Sequence, residues 1–164
     1  MKNLYIIGGT MGVGKTSVCR ELKQNLKNCV FLDGDNCWES SQNLVTDETK
    51  EMVLDNICYL LNSFIRCSAY ENIVFCWVMH EQEIIDNILS RLQTSDCNVK
   101  LISLVCNESA LTARLRSEII NDIRTKDIIE KSLSRLPMYA KLNTVKINNS
   151  NKSISQVANE ILKL

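Results

Sequence analysis

Histidine, proline and metal-binding cysteine patterns are all but missing from this sequence. Its only histidine is His80, and none of its eight cysteines belongs to a CxxC pair, so a structural zinc ion would find almost no ligands. His80-Glu81 does not extend to an HExxH site either, because position 84 is isoleucine. Long apolar runs are also lacking: the N-terminal one is about six residues long and ends in glycine, far short of a signal-peptide core or a membrane span. Nor is there an excess of charge. Nineteen Lys and Arg residues balance 19 Asp and Glu, so no global field draws in nucleic acid or an anionic membrane, and any anion binding must be local.

What is present reads as one globular unit. At 164 residues and 45% hydrophobic content, the chain can bury a sizeable core. There is no repeat, low-complexity tract or linker, and the single proline, Pro137, lies late in the chain, so one domain over residues 1–164 is expected. The cysteines, Cys19, Cys29, Cys37, Cys58, Cys67, Cys76, Cys97 and Cys106, are spread evenly, and several fall inside apolar runs. They read as reduced core thiols of a cytoplasmic protein.

Strand-length apolar runs alternate with helical patterns, the signature of βαβ units and a parallel sheet with helices on both faces. The strands are expected at Leu4 to Gly8, Val30 to Asp33, Ile73 to Met79, Val99 to Cys106 and Thr144 to Asn148. Helices are expected over Lys15 to Leu26, Asp47 to Cys67, Glu81 to Leu92 and Glu108 to about Met138, with a last one opened by the capping-box pattern Ser153 to Gln156.

The segment Gly9-Thr10-Met11-Gly12-Val13-Gly14-Lys15-Thr16 matches GxxxxGK[ST], follows an expected strand and opens an expected helix. The glycines let backbone N–H groups turn inward around phosphate oxygens, and the helix start adds unpaired N–H groups and its dipole. Lys15 would reach the β- and γ-phosphates, the Thr16 hydroxyl would ligate magnesium, and Ser17 completes the nucleotide-binding stretch. At average residue usage a chance match has odds of roughly 1 in 150 over a chain of this length. A dinucleotide fold would want GxGxxG, whereas the order here is G-x-x-G-x-G followed by Lys-Thr.

The second strand ends in Asp33-Gly34-Asp35, and in an open parallel sheet the carboxyl ends of strands face the ligand crevice. Asp33 would hold magnesium directly or through water, and Asp35 would accept a proton from an attacking hydroxyl. The third strand ends in His80 rather than an aspartate, so this pair must serve the metal, which speaks against a motor ATPase. His80 either contacts substrate or caps the strand. Trp38 either stacks on an acceptor or packs half-buried.

Arg114 and Arg116 follow the fourth strand, and Arg124 and Arg135 lie in the stretch from Arg124 to Tyr139. Together with the phosphate loop and the Asp33-Gly34-Asp35 turn, this segment resembles the nucleoside monophosphate kinase-like family of P-loop kinases, which includes adenylate, shikimate and gluconate kinases. The resemblance implies a five-stranded parallel sheet in the order 2-3-1-4-5 with a short helical lid over about residues 116–138. It implies that Arg114, in Leu111-Thr-Ala-Arg114-Leu115, stacks on the adenine, that Arg124 and Arg135 close on the transferring phosphate, and that Asn149 to Lys152 line the base. Such a lid is expected to be mobile and exposed, with few packing contacts; Arg116 reads as a solvated helix face.

The acceptor side departs from the nucleotide-phosphorylating members. A phosphorylated acceptor calls for bidentate arginines, yet Asp33 to Asp47 contains no Lys or Arg. The expected function is therefore ATP- and magnesium-dependent phosphorylation of a hydroxyl on a small molecule. A nucleoside or nucleotide kinase is the second reading, and an ATPase or nucleotide-binding switch the third.

Overall fold

Each apolar run of the sequence becomes a strand and each helical stripe a covering helix in the computed structural model, which describes residues 1–39, 44–121 and 127–164. Strands β1 (Lys2–Gly8), β2 (Cys29–Asp33), β3 (Asn72–Trp77), β4 (Cys97–Val105) and β5 (Val145–Asn148) form one parallel sheet in the order β2-β3-β1-β4-β5. That is the order implied by the family resemblance. The helices are α1 (Lys15–Asn25), α2 (Asp47–Arg66), α3 (Gln82–Arg91), α4 (Glu108–Ile120), α5 (Ile128–Arg135) and α6 (Ile154–Leu162).

Alternation along the strands sorts side chains to two cores, because successive residues of a strand point to opposite faces. Tyr5, Ile7, Val74 and Cys76 pack under α1, α4 and α6 through Val18, Leu22, Leu115 and Ile161. Leu4, Ile6, Ile73 and Phe75 pack under α2 and α3 through Val53, Ile57, Ile85 and Ile88. The central strands are buried on both faces, which explains why their sequences are apolar nearly throughout. All eight cysteines are free thiols, four buried and four half-buried. Among the described residues, no helix is long and apolar enough to cross a membrane.

Most boundaries shift by one or two residues from the sequence expectation, and two differences have a clear physical reason. Strand β3 stops at Trp77 rather than Met79, because Gly8 pairs with Trp77 and Asp33 with Cys76, so both neighbouring strands end at that level. The helical region after Glu108 is divided: α4 ends at Ile120, α5 at Arg135, and Leu136–Lys141 forms a 3-10 turn with Pro137 near its start. Proline has no N–H for an interior helical bond but is tolerated in a first turn.

Side chains cap some of the helices and not others, and α3, with Glu81 at its N-cap, lacks such a cap as α1 does. Thr46 and Ser153 cap α2 and α6 through complete capping boxes, and Asn107 caps α4 by accepting from the Ala110 N–H. Helix α1 has no such cap. Its N-cap is Gly14 in the left-handed region with no side-chain hydrogen bond, which leaves the first-turn N–H groups available to an anion.

Candidate nucleotide and acceptor site

The carboxyl ends of β1 and β2 bring the phosphate loop and the carboxylate turn together. Gly12 holds a left-handed φ of 77°, and a Cβ there would fall 2.4 Å from Leu115 Cδ2. Glycine thus lets α4 press directly on the loop. Lys15 is 8% exposed, and its ammonium donates to the Gly9 carbonyl at 2.8 Å and the Thr10 carbonyl at 3.0 Å. Burial pushes its pKa below the usual lysine value, opposed by the nearby Cys76, Asp35 and Asp33.

The Thr16 hydroxyl donates to Asp33 Oδ2 at 2.7 Å, and the other Asp33 oxygen accepts from the Asp35 N–H at 3.2 Å. The two residues expected to share a magnesium ion therefore touch, and Asp35 sits exposed one turn residue beyond. Among the described residues, no group of three or more His, Cys, Asp or Glu side chains forms a metal cluster of its own. Magnesium held by a hydroxyl, one carboxylate and substrate phosphates needs no such cluster.

A cleft of about 110 Å³ opens here, lined by Met11, Gly12, Gly14, Lys15, Thr16, Ser17, Asp35 and Glu118. Glu118 was not legible as a site residue. It lies four positions after Arg114, and i, i+4 residues share a helix face, the one signal that associates it with the nucleotide side.

Arg114, which the resemblance would place on the adenine, braces the phosphate loop. Its guanidinium donates to the Val13 carbonyl at 3.1 Å, to Asn149 Oδ1 at 3.0 Å and to the Asn149 carbonyl at 2.8 Å. The buried Asn149 side chain in turn donates to the same Val13 carbonyl at 2.7 Å. These bonds tie α4 and the segment after β5 to the phosphate loop, and place Arg114 and Asn149 side by side where the base is expected.

The lid expectation divides in three. Arg124 lies outside the described residues. Arg135 is half-buried, with Nη1 3.9 Å from Met11 Sδ on the loop. Helix α5 does not stand free with few contacts, as expected for a mobile lid: Ser132 is fully buried, its carbonyl accepts from the Thr10 hydroxyl at 3.0 Å, and Ile128, Ile129 and Leu133 pack against the core. The reason is the amphipathic face of α5, whose apolar side needs a surface and finds the loop and α4. Arg116 is exposed, as expected.

His80 is half-buried, with Nε2 3.7 Å from Glu81 Oε1; burial first, then the charge of Arg135, lowers its pKa from the ordinary histidine value. Trp38 is half-buried against the α2–α3 core.

Trp77 escaped the sequence reading altogether. An ideal Cβ on Gly34 would lie 2.6 Å from Trp77 Cγ and 2.7 Å from its Cδ1, so the indole lies directly against the turn that carries both carboxylates. Gly34→Ala should therefore destabilise the protein by about 1–3 kcal/mol through overpacking, read as a lowered urea midpoint. Adding Trp77→Leu should recover part of the loss. A neutral Gly34→Ala variant would show that the indole does not occupy this position.

Comparison with known proteins agrees with the fold. A family model described as an AAA domain matches residues 6–134. No curated protein matches the sequence. Among solved structures, the chain is similar to a gluconokinase from Sinorhizobium meliloti at a TM-score of 0.73 and 19% identity, covering 98% of this chain and 90% of that one. It is similar to the tunicamycin resistance protein of Deinococcus radiodurans at 0.72 and 15%, covering 99% and 94%. A shikimate kinase from Aquifex aeolicus superposes at 0.63 with 17% identity, covering 98% and 94%.

Proposed function

Because the chain belongs to the AAA-domain family and has the fold of nucleotide-kinase-like P-loop proteins, we propose that it is an ATP-dependent kinase that phosphorylates a hydroxyl of a small molecule. The observation that carries this reading is the 2.7 Å bond from Thr16 to Asp33, with Asp35 on the same turn. It sets a hydroxyl and carboxylate suited to magnesium, and a second, exposed carboxylate, at the mouth of one phosphate loop.

In this reading the triphosphate lies along the uncapped start of α1, and Lys15 exchanges the Gly9 and Thr10 carbonyls for β- and γ-phosphate oxygens. Bound between Thr16, Asp33 and the phosphates, magnesium would neutralise charge on the β- and γ-oxygens. Asp35 accepts the proton of the acceptor hydroxyl as its oxygen bonds to the γ-phosphorus and the bond to the ADP oxygen breaks. Arg135, and Arg124 by the family resemblance, stabilise the transferring phosphoryl group, while Arg114 and Asn149 hold the base.

The test is ADP release from magnesium-ATP across nucleosides, sugars, shikimate-like acids and aminoglycoside or phenicol antibiotics. Release should depend on an added acceptor. Nucleoside monophosphates should be at least about tenfold poorer than uncharged or cationic alcohols, since their phosphate would meet Asp33 and Asp35 with no basic residue nearby in sequence. Acceptor-independent release would favour an ATPase or switch, and fast turnover of a nucleoside monophosphate would favour a nucleotide kinase.

A further inference from the structure

Helix α5 and the 3-10 turn after it lie along the first residues of the phosphate loop. The Thr10 hydroxyl donates to the Ser132 carbonyl at 3.0 Å, and Arg135 Nη1 lies 3.9 Å from Met11 Sδ. Burial raises the Tyr139 pKa, opposed by the charge of Arg135 and by the Gly9 N–H, so the Tyr139 hydroxyl sits beside the backbone of Gly9. Positions 132, 135 and 139 are spaced by three and four residues, which sets them on one face of a helical path. That face covers Gly9, Thr10 and Met11.

Two hydroxyls on it are unused. Ser132 and Tyr139 are fully buried, yet neither Ser132 Oγ nor the Tyr139 hydroxyl completes a hydrogen bond of normal geometry among the described residues. Buried polar groups in that condition are uncommon and costly. Close by, the Lys15 ammonium donates to the Gly9 carbonyl at 2.8 Å and to the Thr10 carbonyl at 3.0 Å. When Lys15 turns to phosphate, both carbonyls lose their donor. The spare hydroxyls therefore lie beside the two residues that need donors at that moment.

We propose that Ser132 and Tyr139 are positioning residues of the phosphate loop, whose hydroxyls bond the Thr10 and Gly9 backbone once Lys15 leaves those carbonyls. This rests on the reading of Gly9 to Thr16 as a triphosphate loop. A hydroxyl can turn its O–H to whichever acceptor is free, so the exchange spares the loop two unpaired carbonyls and lowers the cost of releasing Lys15. Triphosphate binding gains from it. A ligand without phosphate leaves Lys15 in place and gains nothing.

A double-mutant cycle between Tyr139 and Lys15, read by urea unfolding without nucleotide, tests the coupling. Lys15→Met keeps the stem and removes the ammonium, which leaves the carbonyls to the hydroxyls. Tyr139→Phe keeps the buried ring and removes only the hydroxyl. In wild-type protein it should shift the unfolding constant less than about twofold, or disfavour unfolding, because no completed bond is lost. In Lys15→Met protein it should favour unfolding about three- to tenfold, the scale of one hydrogen bond. Ser132→Ala should follow the same pattern and guards against a Tyr139 variant that fails to fold. With Lys15 present, Tyr139→Phe should raise the Kd for magnesium-ATP about threefold or more and leave the Kd for adenosine unchanged.

Effects of equal size in both backgrounds, whether nil or destabilising, would overturn the proposal, as would equal losses of adenosine and magnesium-ATP affinity. The cycle involves no acceptor and no turnover, so it fails separately from the kinase reading. Coupling of Tyr139 to Lys15 without acceptor-dependent ADP release would sink the kinase and support the positioning role. Acceptor-dependent release by a protein whose variants combine additively would do the reverse.

Discussion

Lys15→Ala is expected to lower the rate of phosphoryl transfer by about a thousandfold or more, the scale on which cationic groups act at a transferring phosphoryl. Among the described residues that line the phosphate cleft, no other side chain carries a positive charge, so the arginines assigned to the transferring phosphoryl group do not replace its compensation of the β- and γ-phosphates. Its effect on stability should be small. The buried ammonium donates to the Gly9 and Thr10 carbonyls, but burial of its charge costs free energy that these bonds offset. Removing both together should change the unfolding free energy by no more than about 1 kcal/mol. Lys15→Met, which preserves the stem, separates packing from charge and should be as inactive. A variant that keeps a tenth of the wild-type rate while unfolding at the same urea concentration would remove Lys15 from the catalytic machinery.

The second large effect is expected at the carboxylate turn, where neighbouring acids should fail in different ways. Asp35→Asn should reduce transfer about 100- to 10,000-fold, the range for loss of a general base, with ATP affinity changed only a few-fold. Asparagine keeps the size of the side chain and cannot take the proton. In Asp33→Asn, one of two oxygens that accept from Thr16 and from the Asp35 N–H becomes a donor. The magnesium concentration for half-maximal rate should then rise about tenfold or more. Metal titrations of the two variants at saturating ATP make the comparison. Identical curves would mean that metal binding and proton acceptance are not divided between them.

The position of both residues was legible because they lie one residue apart at the end of a recognisable strand. The same holds for the phosphate loop, eight contiguous residues between a strand and a helix, and for the cap Ser153, whose partner lies three residues away. The α5 docking was not legible. A segment bearing Arg135 and serine reads as an exposed lid until the bond from Thr10 to the Ser132 carbonyl, across 122 residues, is seen to seat it on the loop.

By itself the sequence determined the element types, the alternation that calls for a parallel sheet and the identity of the phosphate-binding turn. These are written in local terms: apolar periodicity, glycines that permit inward-facing N–H groups, and helix caps, all acting within a few residues. Tertiary structure alone decided that Trp77 lies on Gly34, that Glu118 lines the phosphate cleft and that Arg114 and Asn149 meet at the Val13 carbonyl. Each such meeting depends on strand order and register. A shift of one residue in β3 would turn the position of Trp77 to the other face of the sheet, and no short-range pattern in the sequence carries that choice, which is made when the two cores pack.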